Sequence, residues 1–183
     1  MSKTKVITGP VVLSYLNCWD PKSINGSKPK YSVSLIIKKD QTETIKKIEE
    51  AMRAAYEEGL PKLKGTGKTA PSYDMIKKPL RDGDLERPDD PNYADSYFIN
   101  CNSDIAPGVV DKDRNPILDR SEMYSGVIGR ASINIYAYST NGAKGLAAGL
   151  NHLQKLKDGT PLGSRTRAED DFATDEGVED FLD

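Results

Sequence analysis

The sequence predicts a mainly β protein, a small five- to six-stranded β-barrel with one helix and long loops. Most of its regular segments alternate between apolar and polar residues and are rich in valine, isoleucine and tyrosine, as strands are. Only one segment has helical periodicity, and stretches rich in proline and glycine separate the others. At 183 residues the chain has room for one domain with appendages. No apolar run approaches the roughly 20 residues of a membrane span.

Two strands are predicted before the helix. Residues 4–19 are β-branched and aromatic, and the Gly-Pro pair within them marks a bend or bulge in one long strand. The Asn-Gly pair at 25–26 then gives the strongest short signal for a hairpin turn. Residues 30–38 place their aliphatic side chains at every second position. This alternation predicts a strand with a single buried face.

The helix is predicted to follow this strand directly. Asp40 is placed as its N-cap, and Glu43 three residues later completes an Asp variant of the capping box. Apolar residues then recur at 3.6-residue spacing as far as Tyr56, with lysine and glutamate between them. Gly59 and Pro61 end the pattern.

Residues 60–95 are predicted to be a long charged loop inserted into the domain. They show no sustained periodicity and contain five prolines. Residues 60–81 carry six basic residues against one acidic residue, whereas residues 82–95 carry six acidic residues against one arginine. Loops of this length inside a domain tend to be functional or mobile.

The second half of the body is predicted to consist of strands. The segments are residues 96–101, residues 108–118 (two short strands around a polar turn), residues 125–139 (the longest alternating run) and a final strand that begins at residue 146. With the early strands they favour a small closed or partly open barrel of the oligonucleotide-binding (OB) type. An open α+β sheet is the alternative.

The charge of the chain is divided between its body and its C-terminal end. All 26 lysine and arginine residues lie in residues 1–167 with 20 of the 28 acidic residues, which gives this part a net charge of +6. Residues 168–183 hold the other eight carboxylates and few aliphatic residues, so they cannot bury enough apolar surface to fold. We therefore predict an OB-fold-like domain over 1–167 and a disordered acidic tail over 168–183. The asymmetry indicates a body that binds a polyanion, although a tail that only aids solubility fits the composition equally well.

Several segments resemble catalytic or metal sites only in part. Residues 65–69 lack the first glycine of a phosphate-binding loop, and residues 111–122 have proline where a calcium loop needs glycine. The two cysteines and the single histidine have no metal-ligand spacing. We expect no metal, no cofactor and no catalytic activity. The carboxylates of residues 82–95 leave a metal-dependent nuclease as an alternative.

The body combines positive charge with aromatic rings, the two requirements for binding a single strand of nucleic acid. Lysines and an arginine crowd residues 60–81 around one tyrosine, and two tyrosines share the non-aliphatic face of the 125–139 strand with an arginine. A tryptophan ends the first strand beside a lysine-rich turn. The candidate DNA-binding residues are Trp19, Lys30, Lys62, Lys64, Lys68, Tyr73, Lys77, Lys78, Arg81, Arg130, Tyr136 and Tyr138. For each aromatic ring the alternative is packing in the core.

Three segments carry a resemblance to a known family. They are VITGPVVLSYLNCWDP near the start, KYSVSLIIKKD before the helix and GLAAGLNHLQKLKDGTPLG before the tail. With the basic body and the acidic end, they resemble a phage-encoded OB-fold family of single-stranded-DNA-binding proteins from replication and recombination gene cassettes. The resemblance covers most of the chain. It implies binding of single-stranded DNA without sequence preference, no enzymatic activity and a tail that contacts replication proteins, but it designates no individual DNA-contacting residue.

The sequence therefore predicts a protein that binds single-stranded DNA in phage replication and recombination, in the cytoplasm of the host cell. The tail is expected to compete with DNA for the body and to recruit replication and recombination proteins. The residues expected to do so are Asp170, Asp171, Phe172, Asp180 and Phe181. A strand-annealing or RNA-binding accessory protein and a protein-only adaptor are the alternatives of other classes, and a homodimer is left open.

Overall fold

A computed structural model describes residues 3–23, 26–140 and 142–162. The predicted acidic tail lies outside these described residues. Within them the strands are β1 (Lys5–Ile7), β2 (Val11–Lys22), β3 (Lys30–Lys38), β4 (Leu80–Asp82), β5 (Ser96–Ser103), β6 (Gly108–Val110), β7 (Ile128–Thr140) and β8 (Ala143–Lys157), and the helices are α1 (Thr42–Glu58), α2 (Leu60–Lys64) and α3 (Gly83–Glu86). None of these helices is long and apolar enough to cross a membrane.

Five of the strands pair in a ring. β2 pairs with β3, β3 with β5, β5 with β8, β8 with β7, and β7 again with β2. The β5–β8 pair is parallel and the other four are antiparallel. Because the registers of β5–β8 and β7–β2 comprise two residue pairs each, the barrel is partly open. A five-stranded, partly open barrel is the OB-type architecture, so the mainly β prediction is confirmed.

Side-chain alternation fills the barrel as the sequence predicts. On β7, Ala131, Ile133 and Ile135 are buried, while the residues between them are partly or fully exposed. α1 lies against β7 and β1 and buries its apolar face, which includes Ile48 and Met52. This burial stabilises a 17-residue helix whose isolated form would be marginal in water.

The start of the helix differs from the prediction. α1 begins at Thr42 with Gln41 at the N-cap, and no side chain caps it. Asp40 lies in the turn after β3, where the Gln41 N–H donates to the Lys38 carbonyl at 2.9 Å. This tight turn leaves Asp40 one residue short of the capping position.

Residues 4–19 form two strands rather than one bent strand. The chain leaves the sheet between Ile7 and Val11, so that β1 pairs with β7 while β2 pairs with β3 and β7. The Gly9 N–H donates to Thr44 Oγ1 at 3.0 Å, which holds the break against the first turn of α1.

The predicted loop over residues 60–95 carries four short regular elements. It contains α2, β4, α3 and a 3-10 turn at Pro91–Tyr93. We call residues 80–93 the cover, because β4 pairs with β5 and the following turns cross the outer face of β2 and β3. The four elements within residues 60–95 are three to five residues long, which is too short to give a periodic signal in the sequence.

The cover buries a second face of β3. The Tyr93 hydroxyl lies 3.1 Å from Ser14 Oγ and 3.2 Å from Ser34 Oγ, and Tyr93 packs with Phe98 and Ile36 in a small cluster outside the barrel. The prediction of a single buried face for residues 30–38 is therefore wrong. Its cause is tertiary, because the covering tyrosine lies more than fifty residues away along the chain.

Candidate nucleic-acid interface

The half of the outer β2–β3–β5 face that the cover leaves free forms a polar groove of about 460 Å³. Its lining includes Tyr15, Asn17, Ser32, Arg87, Asn100 and Asn102. Ser32 pairs with Asn102 across β3 and β5, whereas the alternate residues Val33 and Cys101 are buried in the barrel. The groove therefore presents side-chain amides and hydroxyls on the face that OB-folds use to bind oligonucleotides.

A β-bulge on β2 brings Tyr15 to this groove. Ser14 pairs with Ser34 and Asn17 with Ser32, so β2 has one residue more than β3 over this interval. Tyr15 occupies the bulge with a φ of 46°, and 60% of its surface is exposed. Left-handed backbone is rare for a bulky residue, and such outliers cluster at functional sites.

Arg87 of the cover lies beside the same groove. Its guanidinium carbon is 5.4 Å from the centroid of the Tyr15 ring, 4.6 Å from that of Tyr93 and 4.7 Å from that of Phe98. These distances are within the range of cation–π attraction. Among residues 3–23, 26–140 and 142–162, no carboxylate forms an ion pair with Arg87. Its positive charge is therefore available to an anion.

A second, basic groove of about 200 Å³ continues from the polar groove, with which it shares Asn100 and Asn102. Its lining includes four of the predicted DNA-binding residues, Lys77, Lys78, Arg81 and Tyr138. Lys77 is fixed in place by its main chain, because its carbonyl accepts a hydrogen bond from the Leu146 N–H at 2.8 Å. Arg81 Nε is 3.4 Å from Glu86 Oε1, so its charge is partly compensated.

The two tyrosines of β7 lie over glycines of β8. A Cβ on Gly145 would be 2.7 Å from the Tyr138 hydroxyl oxygen, and a Cβ on Gly149 would be 3.6 Å from the Tyr136 ring. Tyr136 is 40% exposed, and desolvation raises the pKa of its hydroxyl, which stays neutral at physiological pH. Tyr136 also lines a cavity of about 320 Å³ together with Lys62, so the structure brings these two predicted residues together.

Three predicted residues make contacts within the protein. Tyr73 packs edge-on against a tyrosine of α1, with Arg53 at 4.2 Å and Lys78 at 4.4 Å from its ring centroid. Arg130 Nε donates to the main-chain carbonyl that follows β1, at 3.0 Å, and Trp19 Nε1 donates to the Arg120 carbonyl at 3.0 Å. We infer that Tyr73 positions Lys78 for the basic groove.

The remaining predicted lysines lie away from the basic groove. Lys30 is half-buried where β3 begins, opposite Lys22 in the β2–β3 hairpin. Lys64 ends α2 and Lys68 lies in the segment that follows, both exposed. None of the three lines the basic groove or the polar groove.

The acidic stretch 82–95 is engaged in structural contacts. Lys39 Nζ lies 3.0 Å from Asp82 Oδ1 and 2.8 Å from Asp84 Oδ2, which supplies the cationic partner that the sequence did not indicate. Asp82 also caps α3, and Asp84 accepts a hydrogen bond from the Asp95 N–H. Lys39 and the Asp95 N–H hold the pKa of the Asp84 carboxyl below its ordinary value. Within the described part of the chain, no group of three or more potential ligands could hold a metal ion.

Neither thiol is suited to nucleophilic chemistry. Burial raises the pKa of Cys18 to about 12 and raises that of Cys101 as well, so both are protonated at neutral pH. The segment that resembles a calcium loop is a turn, in which Asp111 Oδ1 accepts from the N–H groups of Asp113 and Asn115 at 2.9 Å.

Sequence reasoning missed Tyr15, Arg87, Asn17, Asn100 and Asn102. Regular alternation places Tyr15 inside the barrel, and Arg87 stands alone among carboxylates. One signal was available, because the INCNS segment places Asn100 and Asn102 on the same face of a strand.

The comparisons with known proteins identify a family and similar solved structures. Residues 4–182 match the model of the family described as Enterobacter phage Enc34, ssDNA-binding protein. No curated protein matches the chain. The single-stranded DNA-binding protein from bacteriophage Enc34 in complex with ssDNA is 25% identical with a TM-score of 0.73, and the match covers 88% of this chain and 91% of that chain.

Two further solved structures share the fold. A C-terminal truncation of the bacteriophage Enc34 protein is 23% identical with a TM-score of 0.73, over 88% of this chain and 90% of that chain. The single-stranded DNA binding protein gp2.5 of bacteriophage T7 is 15% identical with a TM-score of 0.61, over 91% of this chain and 99% of that chain.

Proposed function

The chain belongs to the family of the Enterobacter phage Enc34 ssDNA-binding protein, and on that premise we propose that it binds single-stranded DNA without sequence preference in phage DNA replication and recombination. The observation that carries the proposal is the continuity of the polar and basic grooves through Asn100 and Asn102. Together they supply hydrogen-bonding groups, cations and aromatic rings along one path across the barrel.

The basic groove supplies the electrostatic part of binding. Lys77 and Lys78 neutralise phosphates and release counterions, which favours association at low salt. Tyr138 offers a ring on which a base stacks, and base–aromatic stacking is worth about 1–3 kcal/mol per base whatever the base. We extend the proposed path over β7 to Tyr136 and Lys62, which share a cavity.

We propose that the protein has no enzymatic role and acts in the host cytoplasm. Two of the carboxylates that would serve a nuclease, Asp82 and Asp84, accept hydrogen bonds from main-chain N–H groups and from Lys39, and both thiols are buried and protonated. These contacts support binding rather than catalysis as the function of the described surface.

We propose that the acidic tail, residues 168–183, competes with DNA for the +6 body and recruits replication and recombination proteins when DNA displaces it. A tethered polyanion has a high effective concentration beside its own body. Deletion of 168–183 is expected to tighten binding of single-stranded DNA, most strongly at low salt, where screening is weakest. Weaker binding after the deletion would contradict this role.

Fluorescence anisotropy tests the main proposal. Labelled dT oligonucleotide, duplex DNA and RNA of equal length are titrated with the full-length protein, with and without magnesium. Tight binding of the dT oligonucleotide and weak binding of the duplex are expected. Equal affinity for RNA would favour an RNA-binding accessory protein, and loss of labelled DNA that depends on magnesium would overturn the non-enzymatic proposal.

A further inference from the structure

We propose that Tyr15 is a stacking platform for one unpaired base, that the amides of the polar groove bind the edge of that base, and that Arg87 binds an adjacent phosphate. This inference rests on the proposed function and deepens it. It assigns single-strand selectivity to a particular place on the barrel, rather than to the tail or to charge alone.

Tyr15 has a backbone conformation that exposes its ring. Ser14 points out of the barrel to the Tyr93 hydroxyl, so a regular strand would turn the next side chain inward. The extra residue of the bulge prevents this and leaves Tyr15 60% exposed. A tyrosine at a φ of 46° is unfavourable relative to asparagine or glycine, yet it leaves a large ring in water. The same bulge lets Leu16 pack against the barrel core and donate its N–H to Ser125 Oγ at 2.9 Å, so packing accounts for the bulge, whereas the exposed Tyr15 ring is what we assign to a ligand.

Arg87 is held in position by aromatic rings. The rings of Tyr93 and Phe98 hold the guanidinium within 4.7 Å of their centroids, and the Tyr15 ring lies at 5.4 Å. Arg87 thus reaches the polar groove from a fixed position and without a described ion pair. A planar guanidinium fixed in this way binds a phosphate without a large loss of side-chain freedom.

The floor of the polar groove carries hydrogen-bonding side chains. Asn17 Nδ2 donates to the Tyr15 carbonyl and to Ser32 Oγ, both at 3.2 Å. Among the described residues no hydrogen bond engages the side-chain amides of Asn100 or Asn102. An amide offers a donor and an acceptor side by side, as the edge of a base does.

The volume of the polar groove is consistent with one nucleotide at the platform. A cavity of about 460 Å³ lies in the lower part of the range of small-ligand sites, which suits one nucleotide rather than several. A base whose Watson–Crick edge meets the asparagines cannot at the same time pair with a complementary strand. The platform therefore excludes duplex DNA by the chemistry of the base edge.

Photo-crosslinking tests the platform directly. Full-length protein bound to a dT oligonucleotide that contains 5-iodo-deoxyuridine is irradiated, and the cross-linked residue is identified by mass spectrometry. We expect the cross-link at Tyr15 and its loss in Tyr15→Leu. The matched control is Tyr97→Leu, which removes another half-exposed tyrosine with a cation over its ring, Lys39 at 5.2 Å, outside both grooves.

Affinity measurements supply the second readout. Tyr15→Leu is expected to raise the Kd for dT oligonucleotide about 5- to 150-fold without changing the slope of log K against log[salt], which we call the salt slope. The Kd for duplex DNA should change little, so that the preference for a single strand falls. Arg87→Gln is expected to flatten the salt slope by about 0.7, whereas the exposed control Arg114→Gln leaves it unchanged. If Tyr15→Leu fails to fold, Tyr15→Asn removes the ring at a backbone conformation that asparagine tolerates.

The outcomes separate the platform from the general function. Wild-type affinity in Tyr15→Leu or Tyr15→Asn, with cross-links elsewhere, would overturn the platform and leave single-stranded DNA binding intact. Failure of the wild-type protein to bind any dT oligonucleotide would overturn the proposed function and the platform with it. A fall in affinity for dT and duplex by the same factor would also overturn the assignment of selectivity to Tyr15.

Discussion

The salt dependence of the double variant Lys77→Gln/Lys78→Gln is the most direct test of the basic groove. Both side chains line it, and the main-chain hydrogen bond from the Leu146 N–H to the Lys77 carbonyl does not depend on either side chain. The substitutions therefore remove two charges and keep the contact that places the segment on β8. Arg81 is left in place because Glu86 already compensates part of its charge.

The size of the effect follows from counterion release. Each phosphate neutralised on a single strand contributes about −0.7 to the slope of log K against log[salt], so loss of two contacts flattens the slope by about 1.4. A tenfold rise in salt would then weaken the wild type about 25-fold more than the double variant. At low salt the variant binds more weakly, and at high salt the two converge.

Fluorescence anisotropy with dT oligonucleotide at five or more salt concentrations measures both slopes. The control is Lys112→Gln/Arg114→Gln, which removes two exposed charges from the turn after β6, outside both grooves. An unchanged slope in the Lys77/Lys78 variant, or an equal change in the control, would refute the assignment of phosphate contacts to this groove.

Three further predictions concern the rings and the cover. Tyr138→Ala should weaken binding of dT oligonucleotide by about 1–3 kcal/mol. Gly145→Ala should weaken binding by less, because the Cβ that it adds at position 145 displaces the Tyr138 ring. A thermal melt of each variant checks the fold. Tyr15→Asn should raise the midpoint of thermal unfolding by about 2–4 °C, because it relieves about 1 kcal/mol of backbone strain, and it should weaken DNA binding. An unchanged or lower midpoint would show that Tyr15 is not strained. Because the pKa of Asp84 is depressed, the stabilisation that its carboxylate provides is present above the ordinary value of 3.8 and is lost as pH falls through the folded-state pKa. Lys39→Gln removes the partner of that carboxylate and should therefore lose less stability than the wild type between about pH 5 and pH 2, as followed by thermal melts. Identical losses would contradict the linkage.

The sequence predicts the barrel well because its signal is local. Alternation along residues 125–139 identifies β7, and helical spacing identifies α1, since each pattern depends on residues a few positions apart. The resemblance to a phage family of single-stranded-DNA-binding proteins is confirmed by the match over residues 4–182.

The prediction fails where the cause is tertiary. Ile36 reads as an exposed position of an amphipathic strand until Tyr93 covers it from another part of the chain. Tyr15 reads as an inward residue, because only the pairing with β3 reveals the bulge. Lys39 shows no partner in the sequence, since Asp82 and Asp84 lie more than forty residues further on.

The candidate site also has one part that the sequence predicts and one part that it does not. Basic residues near an aromatic ring were visible in composition, and the structure brings Lys77, Lys78 and Tyr138 into one groove. Neutral amides carry no charge signal, so Asn100 and Asn102 were not proposed. Their role depends on the strand register that places them beside Arg87.

The small cluster of Tyr93, Phe98 and Ile36 lies outside the barrel core, so we expect the cover to open separately from the barrel. The cover consists of elements of three or four residues, and it is attached to the barrel by the pairing of β4 with β5, by the aromatic cluster and hydroxyl of Tyr93, and by the carboxylates bound to Lys39. Local opening of such a segment costs less free energy than global unfolding. We expect the amides of β4 and α3 to exchange with deuterium under native conditions while those of β7 and β8 stay protected. Limited proteolysis would then cut first within residues 83–90 and leave the five-stranded barrel intact.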